Sequence, residues 1–358
     1  MNFDRTSLKD RIHGGLLGAA LGDAMGAATE QHHIDEIISA HGGLLKILLS
    51  PAEDTFSHRG DGVAGYVTDD VSQMIALSEV LIATGGEITV QAWVQRLLEW
   101  AEFSPMRHQM GPTTRPMLEA IAGGDSIDHI GVVGTSTRKL TSMGVTNGAA
   151  MRVAPAGFIN PADIQGAVET AWVTCQPTHD TQIAASGAGA IAAGCAAALM
   201  SDADVFSVAR ACLEGARLGE KIGAEMGRVV AGPSVVRRIE IAIEEALQAR
   251  DFEDAIRRLE ASVGNSVYMV ESAPAAVGIF VAAAGDPFWC AVGGTNIGND
   301  TDTIAAMAGA MAGALRGPSG VPPELRTTLE SANPEDFAAL AEGLTQVALK
   351  RAASRSTV

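Results

Sequence analysis

Apolar positions recur every three to four residues through most of the chain, the spacing of one helical face, and seldom alternate. That periodicity predicts helices over residues 71–83, 90–103, 162–175, 182–200, 205–217, 235–248 and 304–315. Convincing period-two runs are missing. Asn147-Gly148, a dipeptide suited to tight hairpins, is followed by Ala149, Ala150, Met151 and Arg152 rather than by a strand. An all-α chain is expected.

Gly14, Gly18, Gly22 and Gly26 fall four apart, so a helix through them carries a bare stripe along one face. Gly309 and Gly313 repeat the spacing near the other end of the chain. Glycine costs about 1 kcal/mol relative to alanine inside a helix, and close backbone packing is the expected return. The helix over residues 11–30 is therefore expected near the centre, touching the helix that begins near Thr303, since both pair a bare face with an acidic end. Residues 235–259 mix Arg and Glu with aliphatics and read as solvated helical faces supported by charge pairs. With no Pro/Ser-rich linker, the expectation is one domain over residues 1–349 and a frayed tail over 350–358.

Composition narrows the function. The chain has 358 residues, and 42 acidic against 25 basic side chains give a formal net charge of -17. That balance argues against a nucleic-acid partner, which needs clustered Lys and Arg. Cys175, Cys195, Cys212 and Cys290 show no metal or disulfide spacing and suit a reducing cytoplasm. The charged N-terminal stretch lacks a signal peptide's apolar core. Residues 181–200 carry no charge, but their Ala/Gly composition gains little from lipid, so a buried helix is expected and no membrane partner.

The candidate chemistry sits at two helix starts. Thr68-Asp69-Asp70 leads into an apolar helix, and Asn299-Asp300-Thr301-Asp302-Thr303 leads into a small-residue helix. One acid at each place would be ordinary N-capping. Two carboxylates and a threonine hydroxyl, twice, exceed what a cap requires. Adjacent carboxylates repel, and a hard divalent cation, Mg²⁺ or Mn²⁺, is the usual compensation. Four such carboxylates together suit two ions, roughly 3.5–4 Å apart in sites of this kind. Asp23 and Glu30, on or just after the glycine-striped segment, add acids in a bland stretch; Asp23 reads equally well as a cap for a neighbouring element.

Five stretches then occur in order: GLLGAALGDAMGAATE, TDD, TNGAAMR, THD and GGTNIGNDTDTIAAMAG. Together they resemble the ADP-ribosylglycohydrolase family. The resemblance implies a compact orthogonal all-α bundle with two divalent cations, Mg²⁺ or Mn²⁺, in a cleft. It implies a glycosidase that hydrolyses a bond at the ribose anomeric carbon, with an ADP-ribosylated protein or a small-molecule riboside as partner. On this chain the family's metal ligands fall on Thr68, Asp69, Asp70, Asp300, Asp302 and Thr303. Glu30, Asp69 and Asp302 are the implied catalytic residues, Glu30 as general base or as stabiliser of an oxocarbenium-like state. The implied substrate residues are Gly111, Asn147, Gly148, Ala149, Met151, Arg152 and His179.

Two departures stand out. Asn299 occupies a position where the family commonly has glycine, and no aromatic lies between residues 139 and 153, where some members stack adenine. Phe103, Phe288 and Trp289 are the candidate substitutes. A smaller N-riboside would need the ribose pocket without a diphosphate and adenine site, so a nucleoside-like hydrolase is the alternative. A non-catalytic relative is the third reading, opposed by the intact acidic clusters.

Overall fold

The computed structural model describes residues 4–355 apart from Asp54, Arg59, Gly60 and Ser136. Sixteen α-helices and four short 3₁₀ turns make up its regular structure, with isolated bridges but no strands among the described residues. The first half contains α1 (Arg5–Gly26), α2 (Ile34–His41), α3 (Asp69–Ala83), α4 (Val90–Phe103), α5 (Thr114–Gly123), α6 (Ala154–Phe158) and α7 (Ile164–Cys175). There follow α8 (Gln182–Ala198), α9 (Val205–Met226), α10 (Val235–Gln248), α11 (Phe252–Ser262) and α12 (Met269–Ala282). The chain closes with α13 (Pro287–Asn296), α14 (Thr301–Arg316), α15 (Pro323–Ala332) and α16 (Phe337–Arg355).

Local chemistry sets most boundaries. The side chains of Thr89, Thr181 and Ser234 each accept a backbone N–H and start α4, α8 and α10. α4 buries Trp93, Leu97 and Trp100, one stripe of a 3.6-residue helix. Within the stretch read as solvated faces, Asp251 caps a second helix, so α10 and α11 are separate. The periodicity missed α12 and α13, whose Ala, Gly and Val leave little polar contrast. No described helix is long and apolar enough to cross a membrane.

The expected frayed tail is corrected. Residues 350–355 continue α16, and Ala352 is buried. Arg351 donates to Asn160 Oδ1 and to the Gly86 carbonyl, each at 3.0 Å, and Arg355 pairs with Asp163. These bonds hold the last turns against the turn after α3 and the segment between α6 and α7. Residues 356–358 lie outside the described residues.

α1 and α14 pack antiparallel with their bare stripes together. A methyl group at Gly18 would strike the Gly309 carbonyl oxygen, and one at Gly14 the Gly313 carbonyl oxygen. Gly22 meets the backbone of Ala305, and Gly26 that of Asp302. Both helices are buried for nearly their whole length, as expected from their bare faces. α8 and α9 repeat the device, with Gly189 and Gly219 against the backbone of α9 and α8 respectively. One apolar cluster runs from Leu8 to Ala348 and joins both chain ends to this core.

The α1–α14 register sets the site, because it delivers the C-terminal end of α1 to the N-terminal end of α14. Thr301 Oγ1 donates to the Gly26 carbonyl at 2.8 Å and Thr29 Oγ1 to the Thr295 carbonyl at 2.6 Å, locking that junction. Gly18→Ala should therefore cost about 2–3 kcal/mol, the upper range for overpacking a tight core. Urea unfolding of parent and variant measures it, and an unchanged midpoint would show that the helices separate without cost.

Candidate functional site

Three segments converge on a cleft of about 370 Å³. The start of α3 supplies Asp69 and Asp70, the start of α14 supplies Asp300, Asp302 and Thr303, and the turn after α1 supplies Glu30. No lysine, arginine or histidine lines it among the described residues. At α3 the cap is Thr68, whose hydroxyl accepts from Asp70 N at 3.2 Å, so neither aspartate is needed for that task. At α14 the Asp300 side chain makes no cap bond; its Oδ2 accepts from Asn147 Nδ2 at 2.5 Å. Asp302 Oδ1 accepts from Thr303 N at 2.8 Å.

Asp23 takes the capping role considered for it. Its Oδ2 accepts the backbone N–H groups of Thr68 (2.9 Å) and Val71 (3.2 Å), tying α1 to the start of α3. Glu30 is buried, and Ser57 Oγ donates to its Oε2 at 2.5 Å. Glu30 is followed by Gln31 at φ 67°, and Asp300 is preceded by Asn299 at φ 60°. The two left-handed residues are linked through Gln31 N to Asn299 O at 2.8 Å, with Asn299 N donating to His32 O at 2.9 Å. Asparagine tolerates this conformation better than most residues, which explains how it stands where glycine is common. Asn299 is not among the residues lining the cleft.

Burial raises every carboxyl of the cluster, and like charge adds to it at Glu30, Asp69, Asp70 and Asp300. Glu30 is pushed up to about 9 and Asp300 to about 8, by burial first and by the Asp302 charge second. Asp69 and Asp70 lie well above the usual range for the same reasons. Burial lifts Asp302 to about 6, against the pull of the Thr303 N–H.

Of the residues expected at the substrate, Gly111, Asn147, Gly148 and Met151 line the cleft. The Asn147 turn is pinned to the chain before α12 by Asn147 N to Val267 O and Met269 N to Val145 O, both 2.9 Å. Ala149, Arg152 and His179 are fully buried behind that wall, outside the lining, and Thr68, buried at the start of α3 beside Asp70, is outside the lining as well. The three proposed substitute aromatics do not line the cleft either. Phe103 is exposed at the end of α4, while Trp289 packs edge-on with both Phe288 and Phe252. The aromatic in the lining is Phe56, half exposed, beside Ser57. Sequence reasoning missed both, because the segment between α2 and α3 has no periodic pattern.

A model described as ADP-ribosylglycohydrolase matches residues 4–354. The chain belongs to the ADP-ribosylglycohydrolase family, a family of hydrolases. It is 32% identical to uncharacterized protein YegU of Escherichia coli (strain K12), over 96% of this chain and 99% of that protein. It is 27% identical to the ADP-ribosyl-dinitrogen reductase glycohydrolase of Rhodospirillum rubrum, over 88% of this chain and 89% of that one. A solved chain of an ADP-ribosylglycohydrolase-related protein complex shares the fold with a TM-score of 0.66, at 23% identity, covering 96% of this chain and 99% of its own.

Members of this family are generally dependent on divalent metal, and the residues here suit such ions chemically. The donors are all oxygen, the preference of Mg²⁺ and Mn²⁺, and Asp70 Oδ1 is buried with no hydrogen-bond partner. Among the described residues no three Asp, Glu, His or Cys side chains are already closed around one point as a shell.

The raised carboxyls carry a stability consequence for the metal-free protein. Each binds its proton more tightly folded than unfolded, where carboxyls titrate near pH 4. Their contribution is therefore fully present below about pH 4 and is lost as pH rises through about 6 to 9. Calorimetry in chelator should show Tm falling between pH 6 and 9, with a smaller fall in Asp302→Asn. A Tm that rises over this range would contradict the arrangement.

Proposed function

We propose that the protein is a divalent-metal-dependent glycoside hydrolase acting at the ribose anomeric carbon, and that it removes ADP-ribose from a modified protein or small molecule. The observation that carries this reading is the convergence of Asp69, Asp70, Asp300, Asp302 and Glu30 on one cleft that no basic side chain lines among the described residues. In a member of this hydrolase family, that acidity suits a sugar whose ring gains positive charge as the leaving group departs. Two ions, Mg²⁺ or Mn²⁺, held by Thr68, Asp69, Asp70, Asp300, Asp302 and Thr303 would orient ribose hydroxyls and polarise a water.

The chain's own groups supply the rest. Glu30, held by Ser57, accepts the proton of the attacking water or stabilises the ring cation. Asn147 holds Asp300 and, with Gly111, Gly148 and Met151, shapes the opposite wall. Phe56 offers the cleft an aromatic face for the adenine, which favours an ADP-ribosyl substrate over a bare nucleoside. Buried free cysteines Cys175, Cys195, Cys212 and Cys290 accord with a reducing compartment, and the cytoplasm is the proposed location.

The test is hydrolysis of ADP-ribosyl-arginine, ADP-ribosyl-serine and simple nucleosides, after chelation and after return of Mg²⁺ or Mn²⁺. Activity should require the metal, and Asp302→Ala should lower turnover about 10³-fold or more, as loss of several kcal/mol of metal-derived stabilisation implies. Full activity in chelator would refute the metal-dependent reading, and nucleosides outpacing every ADP-ribosyl substrate would refute the substrate. Phe56→Ala should raise KM for ADP-ribosyl substrates about tenfold, the scale of one aromatic stacking contact. Its KM for any nucleoside that is hydrolysed should move less.

A further inference from the structure

Behind the cleft runs a hydrogen-bonded chain of buried side chains that joins one acidic helix start to the other. Asp69 Oδ2 accepts from Gln73 Nε2, one turn along α3, at 3.1 Å. Gln73 Oε1 accepts from Arg152 Nη1 at 2.6 Å, and Arg152 Nη2 donates to Thr178 Oγ1 at 2.9 Å. Thr178 Oγ1 lies 2.7 Å from His179 Nδ1, and His179 Nε2 lies 2.9 Å from Thr146 Oγ1. Thr146 Oγ1 donates to Thr113 Oγ1 at 2.8 Å and precedes Asn147, whose amide donates to Asp300 Oδ2. Gln73, Arg152, Thr178 and His179 are all within 1% of complete burial.

A guanidinium has donors and no acceptor, so Arg152 sets the direction of both arms. Its bond to Gln73 turns the amide oxygen inward and leaves the amide N–H₂ for Asp69. Its bond to Thr178 uses one lone pair of that oxygen, and the acceptor the described residues offer the buried Thr178 hydroxyl proton is His179 Nδ1, so the proton goes there. The neutral imidazole then carries its proton on Nε2 and donates it to Thr146, whose own hydroxyl proton goes to Thr113. The guanidinium is also seated over the Trp93 ring, 5.3 Å from its centroid, and Trp93 is anchored by Nε1 to the Thr174 carbonyl at 3.0 Å.

We propose that Arg152 is a positioning residue that orients Asp69 through Gln73, and the Thr146-Asn147 turn through Thr178 and His179, holding the two acidic helix starts in register for divalent cations. It touches neither ion nor substrate. The inference rests on the metal-dependent reading above for its effect on binding, and on hydrogen-bond geometry alone for the histidine tautomer.

Two readouts independent of turnover test it: the ¹⁵N spectrum of the His179 imidazole, assigned by its loss in His179→Gln, and Mn²⁺ affinity by calorimetry. The parent should show the Nε2–H tautomer. Thr178→Val, nearly isosteric, should abolish that single-tautomer signature, whereas Gln73→Leu should preserve it. Gln73→Leu and Arg152→Lys should each weaken Mn²⁺ about 10–100-fold, the usual effect of losing a group that orients a ligand. The double variant should be no weaker than Arg152→Lys. If Arg152→Lys does not fold, Thr178→Val and Gln73→Leu decide the matter. An Nδ1–H tautomer in the parent, or Gln73→Leu binding Mn²⁺ as tightly as the parent, overturns the proposal. A parent that binds no Mn²⁺ sinks the metal-dependent reading and the register role together. The tautomer then decides the hydrogen-bond relay alone: an Nε2–H form lost in Thr178→Val upholds it, and an Nδ1–H form ends it.

Discussion

The close approach of two glycine-striped helices governs this molecule. Gly14, Gly18, Gly22 and Gly26 of α1 lie against the backbone of Gly313, Gly309, Ala305 and Asp302 of α14 in turn. Any Cβ on the stripe meets main chain, which cannot move aside as a flexible side chain does. The register is therefore set by main-chain sterics, and small residues permit the backbones to come together. Its effect is felt at one end, where Gly26 and Asp302 meet. Glu30, a few residues past that point, is brought to Asp300 and Asp302 by the same contact.

That packing makes an acidic site feasible at a cost. Burying carboxyls with so few compensating donors raises their proton affinity, and the structure answers at each place by local means. Asp23 receives two backbone N–H groups, Glu30 a serine hydroxyl, Asp300 an amide and Asp302 a backbone N–H. The left-handed Gln31 and Asn299 show further strain in the same two loops, a kind of strain that collects at functional sites. Metal ions would complete the compensation, leaving the apo cluster poised to bind them.

The cleft has a rigid back and an irregular front. Its back is the buried network through Gln73, Arg152, Thr178 and His179, built around a guanidinium that can only donate. Its front includes Phe56 and Ser57, on the segment between α2 and α3 that carries no regular helix. Loops such as this one vary without disturbing the core.

The sequence by itself determined the all-α class, the boundaries of α4 and α10, the glycine stripes and the surplus of acids at two helix starts. Each is a local or periodic signal: caps, a 3.6-residue repeat, more carboxylates than a cap requires. It underspecified α12 and α13, whose uniformly apolar faces leave no period to read, and it misread residues 350–355, which Asn160, Gly86 and Asp163 hold in place from distant positions. The resemblance placed Arg152 and His179 at the substrate, and the packing puts them behind the wall instead. Nothing local distinguishes those two outcomes, because a buried cation and a cleft cation have the same neighbours in the chain. Phe56 and Ser57 reach the cleft because the loop that carries them meets the turn after α1, where Ser57 bonds Glu30. Whether a side chain faces ligand or core depends on contacts between segments hundreds of residues apart, and that was decided by the tertiary structure alone.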